Sequence, residues 1–107
     1  MSYDTKRAAQ RAVVARVLEG EGHASPAERR AAFNKAGLAE PLRSLIEKIA
    51  LHPSRVTDED IATVLASGLS EDEVFEMVIC AAVGQATRQY ETALAVLGAA
   101  TGDAHAP

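Results

Sequence analysis

Apolar and polar residues alternate along the chain at helical spacing. The first block places Ala9, Val13, Val14, Val17 and Leu18 on one face, which predicts an amphipathic helix running to about Glu19. Asp4 reads as its cap, and Gly20 and Gly22 as its stop. Ser25-Pro26-Ala27-Glu28 opens a second helix with a capping serine, a proline where a missing N–H costs nothing, and a glutamate that closes a capping box. Gly37 is its expected end.

A third helix is predicted from near Pro41, because Leu42, Leu45, Ile46, Ile49 and Ala50 form an apolar stripe. His52-Pro53 closes it, since a residue before proline disfavours the helical region. Thr57-Asp58-Glu59-Asp60 caps a fourth helix whose inward positions are Ile61, Val64 and Leu65, and Gly68 ends it. Ser70-Glu71-Asp72-Glu73 repeats the capping pattern before the longest helix, predicted over 71–97. Its segment Met77 to Val83 is apolar on every side, so it is expected to be surrounded by its own domain or by a neighbour. Met77, Val78, Ala81 and Ala82 are therefore the expected assembly positions of a homo-oligomer. Residues 98–107 read as a flexible tail. No strand signal and no internal repeat interrupt this pattern. The expected fold is all-α, a bundle of about five helices in one domain of 107 residues.

Composition narrows the function classes. The chain is 48% hydrophobic with only 4% aromatic residues and a single cysteine, which rules out an intrachain disulfide and suits a reducing compartment. Lys6, Arg7, Arg11 and Arg16 interrupt the first helix, so it does not read as a signal peptide. No apolar run is long enough to span a membrane, and a cytoplasmic protein is expected. Charge is uneven: residues 1–50 carry nine basic and six acidic side chains, net +3, and residues 51–107 carry two and nine, net −7. The net charge of −4, with no aromatics interleaved among the basic residues, argues against nucleic acid.

Val56-Thr57-Asp58 with Asp60, Ala66 with Gly68-Leu69-Ser70-Glu71-Asp72-Glu73, and Arg88 with Glu91 form one ordered pattern. Over residues 41–97 this pattern resembles the C-terminal half of carboxymuconolactone decarboxylase-like and alkylhydroperoxidase D-like proteins. The resemblance implies a helical fold assembling into dimers, trimers or hexamers. The redox members carry a CxxC pair followed closely by a histidine. Here Cys80 stands alone, so peroxidase or disulfide-reductase activity is not expected, and no cofactor is implied.

Candidate chemistry is sparse. Cys80 lies inside the long helix beside Ile79, Ala81 and Ala82, with Glu76 one turn before it. That setting predicts a buried, unreactive thiol. His52 ends the third helix, where the partial negative charge favours an imidazolium. His23 and His105 are expected to be solvated. Arg88 and Glu91 can pair on one face. Arg88 either fixes an interface register or binds a substrate carboxylate at a subunit boundary. The acidic clusters at 58–60 and 71–73 complement helix N-termini, and no metal is needed to explain them. Two readings remain: an oligomeric structural or interaction protein, or partner of a catalytic relative, and a decarboxylase-type enzyme using His52 and Arg88 on a small carboxylate at a subunit boundary. A thiol enzyme built on Cys80 is a weaker third.

Overall fold

The computed structural model describes residues 3–101, and every regular element in them is helical. The order is α1 (Tyr3–Glu19), α2 (Pro26–Asn34), α3 (Leu42–Leu51), a 3-10 turn (Pro53–Arg55), α4 (Asp58–Ala66) and α5 (Glu71–Thr101). None of these helices is long and apolar enough to cross a membrane.

The helix starts follow from local chemistry. Ser25 Oγ accepts from the Glu28 N–H while the Glu28 carboxylate accepts from the Ser25 N–H. Thr57 and Asp60 make the same reciprocal pair at α4, and Ser70 and Glu73 at α5. Each pair satisfies two N–H groups that a helix start leaves open. At α3 the side chain of Glu40 takes this part, accepting from the Ser44 N–H and hydroxyl. Asp4 is not a cap: α1 already begins at Tyr3, and Asp4 lies in its first turn.

The ends depart from expectation in two places. α2 stops at Asn34, before Gly37, because Lys35 adopts the left-handed conformation at φ 54°. The Lys35 N–H then reaches Ala32 O and the Ala36 N–H reaches Ala31 O, closing a Schellman motif. α5 continues to Thr101, past the expected end at 97, because nothing in its alanine-rich tail breaks it. Residues 102–107 of the expected tail, with His105, lie outside the described residues.

α5 is the spine. Met77, Cys80 and Ala81 pack with Ala24, Ala32 and Ile46, and Val74 packs with Leu45 and Val64. All of these are essentially sealed from solvent. α2 lies alongside α5 and runs the same way, since Glu76 meets the residues before α2 and Arg88 meets its end. At Gly84 α5 lies against the Phe33 backbone, with no room for a Cβ. The molecule measures 51 × 29 × 22 Å, long because α5 is.

Candidate functional site

Only two ionic side chains of α5 between Val74 and Tyr90 interrupt its apolar character, Glu76 and Arg88, and both grip the ends of α2. The Glu76 carboxylate accepts from the His23 N–H and the Ala24 N–H, each at 2.8 Å, and lies 3.0 Å from His23 Nδ1. These N–H groups, the Ala24 one foremost, hold the Glu76 carboxyl down at about 2. Such a group is an anion at any ordinary pH, and it sits beside the positive pole of α2. The His23 ring stays largely exposed. Its Nε2 lies 3.6 Å from Asp72, and the Glu76 hydrogen bond, with Asp72 behind it, raises its pKa. His23 is thus a partner of α5 as well as a solvated residue.

Twelve positions on, Arg88 donates from Nη1 to Phe33 O at 2.8 Å and from Nη2 to Gln85 Oε1 at 3.1 Å. Phe33 O is one of the carbonyls that the end of α2 leaves open, and α2 has no cation of its own in its last turn. Arg88 supplies that charge from the neighbouring helix. The expected Arg88–Glu91 pair does not form. Glu91 instead borders a hollow with Gln10, Arg11 and Thr87. Arg29 plays the same part for α1: its Nη1 donates to Val17 O and, at 2.6 Å, to Gly20 O, from a site that is 6% exposed.

Cys80 is 1% exposed, with its Sγ 3.6 Å from Val17 O. Burial pushes the thiol up and the Glu76 charge adds to this, while the Arg29 charge pulls the other way. Thiolate chemistry requires access and a lowered pKa, and this position offers neither.

His52 and Arg88 occupy different parts of the chain's fold. His52 is exposed at the end of α3, its N–H donated to Lys48 O. Ile49, just before it, packs with Leu45, Val64 and Val74. Arg88 lies 14 positions beyond Val74 on α5, about 21 Å at the helical rise. It borders a shallow cavity with Lys35, Gln85, Gln89 and Thr92, which His52 does not line.

The assembly positions also divide. Met77 and Ala81 are fully buried against α2 and α3 of the same chain, so they have no surface to offer a partner. Val78 is half-buried and, with Ile61, Leu65 and Phe75, lines an apolar groove of about 280 Å³ between α4 and α5. Ala82 alone of the four is exposed.

Sequence reasoning missed the Glu76–His23 contact, which joins residues 53 apart. Its one visible signal was Glu76 itself, the only charged residue between Glu73 and Arg88. Chemically, these polar groups hold backbone ends together. Glu76 and Arg88 are engaged in this way, while Arg29 Nε and the Tyr90 hydroxyl are buried without a partner. No protein-family model matches the chain, and no curated protein or solved structure is significantly similar to it.

Proposed function

We propose that this protein works by association: a non-redox, carboxymuconolactone decarboxylase-like helical protein of the cytoplasm, acting as an oligomeric structural or interaction protein. The observation that carries this reading is α5, whose outward line runs through Phe75, 64% exposed, Ile79, Ala82 and Ala86 to Val96, 62% exposed, and holds no charged residue. A contiguous exposed apolar strip, unlike single scattered residues, marks an interaction surface. The inward polar groups of the same helix support the reading, because both Glu76 and Arg88 are committed to holding α2. A decarboxylase-type site would need a second subunit to bring His52 to the Arg88 cavity. It would also need Arg88 to release Phe33 O.

Light scattering on the purified chain tests the proposal. A stable multimer that Ala82→Glu dissociates, with helicity retained, is the expected result. A wild-type mass of 11.3 kDa at every concentration refutes it.

A further inference from the structure

We infer that a second copy of this chain docks antiparallel along the outer face of α5, through a heptad seam. Phe75, Ile79, Ala82 and Ala86 follow one another at alternating intervals of four and three, and all four are exposed. The same alternation continues through Gln89 to Ala93, Val96 and Ala100, again exposed at every position. This is the 3.5-residue spacing that keeps one line of a helix facing a partner helix. The seam extends about 37 Å along the axis. It contains no charge and a single polar residue, Gln89, near its middle.

The seam explains why the helix reads as apolar all round. Val74, Met77, Ala81 and Gly84 form a second line on the other side, and that line is the one the subunit covers itself. The covered line and the exposed line have nearly the same period.

The chain as a whole exposes enough surface beyond a compact monomer to supply a dimer contact. The chain exposes 6824 Å², against about 5,700 Å² for a compact monomer of 11.3 kDa. That excess is of the order of the ~800 Å² each partner contributes to a stable interface. The radius of gyration, 15.9 Å, likewise exceeds the roughly 13 Å of a compact chain this long.

Charge and side-chain size select the antiparallel arrangement. A parallel pair sets the two Glu71-Asp72-Glu73 clusters side by side, whereas an antiparallel pair holds them at opposite ends. The parallel pair also stacks Phe75 on Phe75 and Ala82 on Ala82, which demands two different helix separations. In the antiparallel register centred between Ala86 and Gln89, Phe75 meets Ala100, Ile79 meets Val96, and Ala82 meets Ala93. Bulky residues then face small or medium ones along the whole seam. A twofold axis at the centre closes the pair, so each copy presents the same surface.

This inference rests on the association reading above and names its partner and register. Ile79→Cys and Val96→Cys chains, prepared separately, test it by mild oxidation alone and as an equal mixture, beside light scattering of the wild type. Cys80 is buried and does not compete. The expected result is a wild-type dimer and a covalent dimer that forms rapidly only in the mixture. In this register two copies of position 79 are about 25 Å apart along the axis. Rapid cross-linking of Ile79→Cys with itself means a parallel pair and overturns the inference while leaving association standing. A wild-type multimer in which no combination cross-links places the contact elsewhere, with the same consequence. A wild type that stays monomeric overturns both, and leaves the seam to a different protein.

Discussion

Gly84→Ala sets two effects of opposite sign against each other. In the middle of a 31-residue helix, glycine is the wrong residue on propensity, and alanine there is worth about 1 kcal/mol. The new Cβ, however, would overlap the Phe33 carbonyl and its Cα, which are backbone atoms and cannot rotate away. α2 and α5 must move apart. Overpacking of this kind costs about 1–3 kcal/mol. The movement also stretches the 2.8 Å bond from Arg88 to Phe33 O, and hydrogen bonds to charged groups contribute about 1.5–3 kcal/mol. Steric and polar losses outweigh the propensity gain, for a net destabilisation of about 2–4 kcal/mol. For a domain of this size each kcal/mol shifts Tm by about 4–8 °C. Urea denaturation and thermal melts followed by circular dichroism measure it. Arg88→Met in a double-mutant cycle should show strong coupling to Gly84→Ala, because both act on one carbonyl. A Gly84→Ala protein as stable as the wild type, or more so, would show that propensity governs this position and that the helices do not touch there.

Three further outcomes follow from named groups. The Glu76 carboxyl is held below its ordinary 4.5, so its contribution is complete above pH 4.5 and is lost as pH falls towards about 2; the raised pKa of His23 gives a contribution complete below pH 6.5 and lost as pH rises through the folded value. Denaturation midpoints should therefore be highest between these limits and fall on both sides, and Glu76→Gln should flatten both falls; an unchanged acid limb in the variant would refute the contact. Lys35→Gly should stabilise by about 0.5–1 kcal/mol, since glycine adopts φ 54° without the Cβ penalty, and a lower denaturation midpoint would contradict the Schellman geometry. Cys80 should react with a thiol reagent in native buffer at least a hundredfold more slowly than in urea, and comparable rates would contradict its burial.

Much of the helical layout was legible because its causes are local. The capping pairs Ser25–Glu28, Thr57–Asp60 and Ser70–Glu73 each reach across three residues, and the structure contains all of them. The stripe of α3 was equally plain: Leu45, Ile46 and Ala50 are buried as its spacing required. Cys80 was readable as packing from its neighbours alone. The end of α2 was not, because Lys35 rather than a glycine takes the left-handed position, and a lysine gives no sequence warning of it.

The amino-acid sequence by itself thus determined where α2, α4 and α5 begin, that no strand is favoured, and that α5 would be apolar on more than one side. Tertiary structure decided which side turns inward. α5 carries two apolar lines of nearly equal period, and periodicity has no means of ranking them. The choice is made by the parallel approach of α2, which needs the notch at Gly84. That approach brings Glu76 to His23 and Ala24, and turns Arg88 away from Glu91 towards Phe33 O. Capping is settled within one helical turn, whereas these contacts span 52 to 55 residues and exist only once two helices have packed.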